Sequence, residues 1–514
     1  MTGAESLIRT LAGADVTVCF SNPGTSEIHL VQALDRIPEM QCVLGLFEGV
    51  VTGAADGYAR MTGKPACTLL HLGPGLGNGL ANLHNASRAR VPIVNIVGQH
   101  ASYHLQHDTP LTSDVEGIAR PYSKWLRTAT NVSEVGSDAA DAVAASRGTP
   151  GQIATLIVPA DVAWNEGGSI AALPLLHRAA MPNAQSIEHA VTMLRSGLPT
   201  AILLSGDGLY GPGLVDAGRI ASATGAKLFA PYPVTRVERG AGLPAVERVA
   251  YVLEQGIEQF KEFRQLILVG ADIPRAYFAY PGKDTCFVPP ECQIHQLSTA
   301  SEDRVSALAG LAEAFAWQGT HTSTPKAERP ISPGGDITLP GLAAVVGALL
   351  PENAIVVDES MTSGRGLMAA TKAAPRHDWL GNTGGSIGIA LPLAVGAAVA
   401  CPDRRVLCLT ADGSGMYTLQ ALWTMARKNL NVTTVVFANR DYAVLKREFS
   451  YVSLGKPGQR ALDMFEIGRP DLDWVQLAQG MGVPGIRVNS LEAFAKTLRE
   501  GLVSAGPVLI EVPL

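Results

Sequence analysis

Residues 412–415 form a turn of small residues directly after an apolar run. The turn reads Asp412-Gly413-Ser414-Gly415, and the preceding Val406 to Leu409 has the unbroken apolar character of a buried strand. Its glycines allow backbone N–H groups to approach an anion closely. Apolar residues then follow at helical spacing from Tyr417 to Arg427, so the turn leads into a predicted helix N-terminus. Such a terminus favours a bound diphosphate.

An amide side chain follows at the end of the next predicted strand. This strand, Thr433 to Phe437, leads to Asn439, and parallel strands joined by one helix end at the same edge of a sheet. Asp412, the Asn439 side-chain oxygen and a carbonyl oxygen near Asp441 could therefore hold an octahedral Mg²⁺ that also binds phosphate oxygens and water. The alternative interpretation is a solvated turn followed by an ordinary asparagine.

A similar turn in the middle of the chain serves as an internal comparison. Gly206-Asp207-Gly208 also follows an apolar strand, but the position that would correspond to Asn439 is Val234, whose side chain offers no ligand atom. We interpret this second turn as structural.

Glu48 lies between a predicted strand, Cys42 to Leu46, and a predicted helix, among apolar residues. A carboxylate in this position ordinarily complements the positive end of the helix dipole. It could also be a desolvated carboxyl that exchanges a proton with a buried heterocycle. The residues alone leave both interpretations open.

Composition and charge exclude several classes of function. The chain has 514 residues, of which 47% are hydrophobic and 17% charged, as in a globular protein. Its net charge of −6 argues against a nucleic-acid partner. The first residues lack signal-peptide features, and the longest apolar run, Ile387 to Cys401, is too short to cross a membrane. Seven cysteines without a Cys-x-x-Cys pair indicate reduced thiols and a cytoplasmic protein.

Predicted strands alternate with predicted helices along the chain, which indicates parallel sheets covered on both faces. We therefore expect an α/β protein of three consecutive doubly wound domains, at residues 1–165, 184–318 and 336–514. The segment from Trp164 to Asn183 separates the first two domains, and a linker of Thr, Ser, Pro and Gly, Gln318 to Gly335, precedes the third.

The residues singled out above carry a resemblance to a known enzyme family. Asp412-Gly413-Ser414 with Asn439, and Glu48 far upstream, resemble the signature of thiamine-diphosphate enzymes of the pyruvate oxidase, acetolactate synthase and benzoylformate decarboxylase superfamily. The resemblance covers the whole chain and looks nearest to benzoylformate decarboxylase. Further matching motifs are Phe20-Ser21-Asn22-Pro23-Gly24, Ala55-Asp56-Gly57-Tyr58-Ala59, Leu70-His71, Asp358-Glu359-Ser360 and Gly388-x-Ala390-Leu391-Pro392.

The resemblance implies thiamine diphosphate and Mg²⁺ as cofactors, and pyrimidine-binding, middle and diphosphate-binding domains in that order. Glu48 would bind N1′ of the aminopyrimidine, Ile387 would support the bent cofactor, and the Gly385 backbone would meet the pyrimidine amino group. The diphosphate and its Mg²⁺ would be held by Thr362, Asp412, Gly413, Ser414, Asn439, Asp441 and Tyr442. In this family Glu48 and Asp412 come from different subunits, so a dimer or tetramer with active sites between subunits is implied.

The reaction implied by the resemblance is decarboxylation of a small-molecule 2-oxo acid through a C2 ylide and an enamine, with carboligase capability. The alternative within the family is an acetolactate synthase-type carboligase that does not use flavin, because the flavin-contacting pattern is not evident around Tyr232 to Gly242. The alternative outside catalysis is an inactive regulatory subunit, against which the presence of Glu48, Ile387, Asp412 and Asn439 argues.

The resemblance also assigns a substrate pocket. His71 matches the first catalytic histidine of benzoylformate decarboxylase, and Tyr277 stands where the second one falls. Thr25 and Ser26 offer hydroxyl groups to a substrate carboxylate. The predicted pocket is completed by Leu111, Val444, Leu445 and Glu448, with His104 and His107 in a bordering loop. A Glu448 carboxylate in the pocket would repel an anionic second substrate or attract a polar or cationic one, whereas a carboxylate directed to solvent would have no such effect.

Overall fold

The structure, a computed structural model, describes residues 1–176, 178–315, 328–452 and 455–514. Its strands form three sheets of six, five and seven strands, dominated by parallel pairs with helices between most consecutive strands. The predicted α/β fold class is confirmed. The domain bounds stay a prediction, and residues 318–327 of the expected linker lie outside the described residues.

Six strands form the first sheet: β1 (Val18–Asn22), β2 (Gln41–Leu44), β3 (Ala66–Leu70), β4 (Ile93–Gln99), β5 (Trp125–Thr128) and β6 (Ile153–Pro159). They are all parallel, in the order β2-β1-β3-β4-β6-β5. β3, β4 and β6 are buried throughout, because helices cover both faces. The helices are α1 (Gly3–Gly13), α2 (Ile28–Arg36), α3 (Glu48–Thr62), α4 (Leu72–Ala89), α5 (Val115–Ala119), α6 (Val135–Ser146) and α7 (Ala160–Trp164), with 3₁₀ helices at Thr25–Glu27 and Ser102–His107.

The middle of the chain contributes β7 (Thr200–Leu204), β8 (Lys227–Ala230), β9 (Val237–Arg239), β10 (Val246–Arg248), β11 (Gln265–Val269) and β12 (Gln293–Ser298). Five of these form the second sheet, in the order β10-β8-β7-β11-β12, and all pairs are parallel. The helices are α8 (Ala184–Arg195), α9 (Gly211–Thr224), α10 (Leu253–Phe260) and α11 (Arg304–Glu313), with a 3₁₀ helix at Gly206–Leu209. β9 leaves this sheet and joins the third.

The third sheet contains β13 (Ile355–Glu359), β14 (His377–Gly381), β15 (Val406–Ala411), β16 (Val432–Ala438), β17 (Gly485–Arg487) and β18 (Val508–Pro513). Its order is β17-β18-β16-β15-β13-β14-β9, and β9 is the one antiparallel strand among the described residues. The helices are α12 (Leu339–Leu349), α13 (Leu367–Ala370), α14 (Ala390–Ala400), α15 (Asp412–Gly415), α16 (Ala421–Arg427), α17 (Ala443–Val452), α18 (Gln459–Phe465), α19 (Trp474–Gly480) and α20 (Leu491–Val503).

The strand order reverses within the first sheet and within the third sheet. In the first sheet the chain continues from β1 to one side and from β3 to the other, and in the third sheet the reversal lies between β13 and β15. Ligands of open α/β sheets bind at the carboxyl ends of the strands at such points. The fold therefore provides two candidate crevices.

The helix expected directly after the Asp412 turn begins later than predicted. Asp412–Gly415 form one helical turn, and α16 starts at Ala421 rather than Tyr417. Between them the chain bends so that the Thr418 hydroxyl donates to the Gly388 carbonyl oxygen at 2.7 Å. This bond fixes the loop that precedes α14.

The cysteines are all free, and within the described ranges every helix is too short or too polar to cross a bilayer. Cys42 is exposed, so it is not the core residue expected from its strand-like context.

Helices α3 and α14 cross with their backbones in close contact, which joins the first and third segments of the chain. A Cβ atom on Gly396 would lie 1.9 Å from the Ala54 carbonyl oxygen. At the other end of α3, the buried Arg60 side chain donates to the Gly381 carbonyl oxygen at 2.6 Å. These contacts fix the position of α3 against the third segment.

Replacing Gly396 by alanine should destabilise the protein. The added methyl group cannot fit beside the Ala54 carbonyl without separating the helices, and overpacking of this kind costs about 1–3 kcal/mol. We expect a lower midpoint of thermal unfolding. Gly480→Ala is the control, because a Cβ atom at this α19 residue has nothing within 4 Å. An unchanged midpoint for the Gly396 variant would contradict the tight crossing.

Candidate active site

The carboxyl ends of β1, β2 and β3 bring four predicted residues to one edge of the first sheet. Thr25 and Ser26 lie in the 3₁₀ helix after β1, Glu48 begins α3, and His71 immediately precedes α4. β1 is the neighbour of both other strands, so these loops are adjacent. Leu72 has a φ of +49°, a left-handed conformation that costs a non-glycine residue about 1–3 kcal/mol and is typical of functional sites.

Glu48 is both the first residue of α3 and a desolvated carboxylate, so the two interpretations left open by the sequence are compatible. Its side chain is buried, and Oε2 accepts a hydrogen bond from Asn78 Nδ2 at 3.0 Å. A Cβ atom on Gly75 would lie 3.2 Å from both Glu48 Oε1 and His71 Cβ. Glu48 and His71 therefore flank this glycine and lie close together.

A carboxylate that sequence reasoning missed, Glu27, holds the His71 ring. Glu27 Oε2 lies 2.7 Å from His71 Nδ1 and accepts the Gly24 N–H at 2.8 Å, and Ser26 Oγ lies 3.2 Å from the same histidine nitrogen. Glu27 is fully buried, and the Gly24 N–H and the His71 ring are the hydrogen-bond partners of its Oε2. The position of Glu27 three residues after a helix cap is the signal that could have identified it.

The remaining predicted residues of the first segment lie after β4. His104 and His107 belong to the 3₁₀ helix, with ring centroids 5.4 Å apart, and Leu111 is partly exposed in the following loop. A Cβ atom on Gly73 would lie 2.0 Å from Ser113 Oγ. The loop that carries Leu111 therefore lies beside the start of α4, next to His71.

The turn after β15 has a closely packed geometry. Asp412 is 2% exposed, and its Oδ1 and Oδ2 accept the N–H groups of Gly413 and Arg440 at 2.8 and 2.6 Å. Burial raises the pKa of Asp412, although these N–H groups oppose the shift. A Cβ atom on Gly413 would lie 2.6 Å from the Tyr442 ring, so only glycine fits there. Ser414 is buried in the same turn.

The adjacent end of β16 supplies further oxygen atoms. Asn439 Oδ1 accepts the Asp441 N–H at 3.1 Å, and Arg440 between them has a φ of +56°. Asp441 Oδ2 pairs with Lys446, whereas the buried Asp441 Oδ1 has no hydrogen-bond partner among the described residues. An unpartnered buried oxygen beside a carboxylate and an amide oxygen fits a hard cation such as Mg²⁺.

This set differs from a cluster of acidic or imidazole ligands. In the described part of the chain, no three His, Cys, Asp or Glu side chains are placed to hold a metal ion. Amide, carbonyl and ligand-derived oxygens would therefore have to complete the coordination, as is usual for Mg²⁺ at a phosphate site.

A cavity of about 1120 Å³ lies between the middle segment and the carboxyl edge of the third sheet. Its lining includes eight predicted residues: Tyr277, Thr362, Gly385, Ile387, Tyr442, Val444, Leu445 and Glu448. Tyr442 also contacts the Asp412 turn, so this turn borders the cavity. Met361 has a φ of +50°, so backbone strain again marks a strand end at this site, and Gly385 has a φ of +80°, which glycine adopts without strain.

Glu48 and the cavity lie apart within one chain. Among the described residues, the cavity lining does not include Thr25, Ser26, Glu48, His71 or Leu111. Glu48 and Arg60 stand near opposite ends of α3, roughly 18 Å apart at the α-helical rise, and Arg60 binds Gly381 just before the Gly385 loop. Asn85, far along α4 from His71, donates to the Ser386 carbonyl oxygen at 2.8 Å. The predicted residues therefore form two groups.

Glu448 lies in the cavity but is not an isolated charge. Its Oε2 accepts the Tyr280 hydroxyl at 2.8 Å, and its Oε1 accepts a guanidinium N–H of Arg447 at 2.8 Å. Burial and the bond to Glu448 raise the pKa of Tyr280 to about 12. Arg447 therefore pairs with the Glu448 carboxylate within the cavity, and the effect of Glu448 on a substrate stays a prediction.

Tyr277, which is predicted to stand where the second histidine falls, lines the cavity. Burial, and next the neighbouring Tyr232 and Tyr251, raise its pKa above the usual range. A hydroxyl group that retains its proton so strongly can donate a hydrogen bond but cannot act as a histidine-like base near neutral pH. Proton transfer at this site therefore depends on other groups.

Glu359 is a further buried carboxylate without an assigned role in the sequence-based prediction. Its Oε1 accepts Asn382 Nδ2 at 3.0 Å and the Gly388 N–H at 3.1 Å, and its Oε2 accepts the Ala390 N–H at 3.0 Å. Burial raises the pKa of Glu359 to about 7 in spite of these bonds. The carboxylate fixes both ends of the loop that carries Gly385 and Ile387.

Comparisons with known proteins agree with this arrangement. Residues 1–118 match the family described as thiamine pyrophosphate enzyme, N-terminal TPP binding domain, and residues 363–512 match the corresponding C-terminal TPP binding domain. A protein of Mycobacterium tuberculosis with the provisional description acetolactate synthase large subunit is 52% identical over 100% of this chain and 99% of its own. Benzoylformate decarboxylase of Pseudomonas aeruginosa is 28% identical, over 97% of this chain and 96% of its own.

Solved structures show the same fold. The thiamine diphosphate-dependent 4-hydroxybenzoylformate decarboxylase of Rhodococcus jostii superposes with a TM-score of 0.87 at 23% identity, covering 100% of this chain and 99% of that one. Benzoylformate decarboxylase of Polynucleobacter necessarius superposes with a TM-score of 0.84 at 20% identity, covering 100% of this chain and 98% of that one. The chain therefore belongs to the thiamine-diphosphate-dependent enzymes of the acetolactate synthase and benzoylformate decarboxylase family.

Proposed function

We propose that this chain is a Mg²⁺- and thiamine-diphosphate-dependent decarboxylase of a 2-oxo acid, with carboligase capability. The observation that carries the proposal is the cluster of the buried Glu48 and Glu27 with the partly buried His71 and Ser26 at one sheet edge. Release of an aldehyde requires a proton donor close to the reacting carbon, and a histidine oriented by a buried carboxylate is suited to this task.

Thiamine diphosphate, when bound, would supply the electron sink that makes the loss of CO₂ possible. Asp412, Asn439 and the chain at Asp441 would hold Mg²⁺. The diphosphate would bind at Thr362, Gly413 and Ser414, and the organic part of the cofactor would bind beside Gly385, Ile387 and Tyr442.

Glu48 has to contact a cofactor bound in the cavity, but within one chain Glu48 lies outside that cavity. We therefore propose a dimer or tetramer, located in the cytoplasm, in which each active site combines the Glu48 edge of one copy with the cavity of another. Glu48 would then exchange a proton at its carboxylate with the cofactor pyrimidine.

The remaining predicted residues bind and orient the substrate in this proposal. His71 would transfer a proton at Nε2, which has no partner among the described residues, while Glu27 holds Nδ1. Thr25 or Ser26 would bind the substrate carboxylate, and Leu111, Val444 and Leu445 would contact its side chain. Tyr277 would donate a hydrogen bond from the opposite wall.

A second candidate function is carboligation of the acetolactate synthase type. The description of the 52% identical relative favours it, and a cavity of about 1120 Å³ has room for more than one small 2-oxo acid beside a cofactor. Decarboxylation and carboligation share their first steps, so the product distinguishes them.

The test is a steady-state screen of the purified protein with thiamine diphosphate and Mg²⁺. Benzoylformate, pyruvate and longer 2-oxo acids are supplied in turn, and CO₂, aldehyde and hydroxyketone are measured. We expect CO₂ release with aldehyde as the main product, and no CO₂ when cofactor and metal are omitted. Acetolactate from pyruvate would assign the second function, and no CO₂ from any acid would contradict both.

A further inference from the structure

Three arginines from separate elements line the cavity, one from the middle segment and two from the third. Arg248 belongs to β10, Arg365 follows β13, and Arg447 belongs to α17. The Arg248 guanidinium lies 4.9 Å from the Tyr232 ring centroid, and Arg447 lies 5.1 Å from that of Tyr251. The two tyrosine rings are themselves 5.4 Å apart. Arg248 and Arg447 therefore flank one aromatic cluster.

Only one of these arginines has a carboxylate partner. Arg447 pairs with Glu448 at 2.8 Å. In the described residues, neither Arg248 nor Arg365 has an ion pair, and the Arg365 side chain has no hydrogen bond. Desolvation, followed by the charge of Arg447, lowers the pKa of Arg365. Arg248 and Arg365 thus line the cavity without an ion-pair partner, which favours a bound anion.

The other acidic residues of the cavity are engaged elsewhere. Asp358 Oδ1 accepts the N–H and hydroxyl of Ser360, and Glu359 is held by the Gly385 loop. Neither carboxylate forms an ion pair with Arg248 or Arg365, so both guanidinium groups are available to a ligand. A guanidinium group binds a carboxylate through two parallel hydrogen bonds, which favours a carboxylate over an uncharged group of equal shape.

Arg365 lies only three residues beyond Thr362, where the cofactor diphosphate is proposed to bind, while Arg248 comes from the facing segment. We propose that the cavity takes a 2-oxo acid with a second carboxylate at the far end of its chain, bound by Arg248 and Arg365. This inference rests on the proposed function and specifies its substrate class. Val444 and Leu445 contact the methylene chain between the two ends.

The test compares the cofactor-loaded protein on 2-oxoglutarate and on an isostere in which an isopropyl group replaces the distal carboxylate. We expect kcat/KM to be about tenfold to a hundredfold higher for the dicarboxylate, the range of a charged hydrogen-bonded contact. Arg248→Met and Arg365→Met should each remove most of this preference by raising KM for 2-oxoglutarate, with little change for the isostere.

The matched control is Arg195→Met, which alters another arginine over an aromatic ring, 5.8 Å from the Phe315 centroid and outside the cavity. It should retain the preference. Cofactor affinity is measured for every variant. If Arg365→Met no longer binds thiamine diphosphate, Arg365 binds the cofactor diphosphate rather than the substrate, and the proposal is overturned.

The outcomes separate this inference from the proposed function. CO₂ release from benzoylformate or pyruvate, without preference for the dicarboxylate, would overturn the inference and leave the proposed function intact. If no acid releases CO₂, calorimetric binding of 2-oxoglutarate to the loaded protein decides. Binding that is lost in both arginine variants would support the carboxylate site, and absence of binding would overturn it.

Discussion

Replacing Glu48 by glutamine is expected to reduce kcat by a factor on the order of 10²–10⁴, the usual contribution of a positioned proton-transfer group. Glutamine has the same shape and can still accept the hydrogen bond that Asn78 donates at 3.0 Å, so the fold and the cofactor affinity should change little. An amide cannot take up and release the proton that a carboxylate can. The measurement is CO₂ release at saturating cofactor and Mg²⁺, with thiamine diphosphate binding followed by calorimetry.

A control separates proton transfer from the ordinary role of a carboxylate at a helix start. Glu5 lies in the first turn of α1 and accepts the Thr2 N–H at 3.3 Å as part of a capping box. Glu5→Gln should leave turnover unchanged, although it removes a helix-terminal charge of the same kind. Full activity of Glu48→Gln would refute the proposed role of Glu48.

Replacing Asp412 by alanine is expected to weaken Mg²⁺-dependent binding of thiamine diphosphate by about 100-fold or more, since losing even an indirect partner of a metal site costs about 10–100-fold. The substitution also leaves the Gly413 and Arg440 N–H groups without their acceptor. Activity should therefore fall through cofactor loss and recover partly at high Mg²⁺ and cofactor concentrations. Calorimetric titration with and without Mg²⁺ checks this.

The chain contains a matched control for this substitution. Asp207 lies in a similar glycine turn after β7, but its carboxylate pairs with Arg304 at 2.6 Å, and no asparagine lies at the position that would correspond to Asn439. Asp207→Ala should leave the cofactor affinity unchanged. Unchanged affinity in the Asp412 variant as well would remove Asp412 from the proposed metal site.

The sequence was most informative where local pattern decides structure. Apolar runs located β15 and β16, because the strands of a covered parallel sheet are apolar throughout. The predicted start of α16 was wrong because a single long-range hydrogen bond, from the Thr418 hydroxyl to the Gly388 carbonyl oxygen, bends the chain after Gly415. β9 was missed because a strand of three residues at a sheet edge has too little periodicity to recognise.

The predicted site was incomplete for the same reason. Glu27 and Glu359 act on His71 and on the Gly385 loop through contacts between residues distant in the chain. The charge of Glu448 could not be interpreted without knowing that Arg447 turns towards it rather than away. Side-chain pairing of this kind depends on tertiary packing, which motif spacing does not encode.

The close crossing of α3 and α14 has a consequence for an assembly of two copies. α3 carries Glu48 at its beginning, and the Arg60 guanidinium near its end is bonded to the strand that leads into the Gly385 loop of the same chain. If Glu48 belongs to one active site and the Gly385 loop belongs to the other, each α3 helix connects the two active sites. A displacement of Glu48 at one centre is then transmitted to the wall of the other, and the two centres work as a mechanically coupled pair.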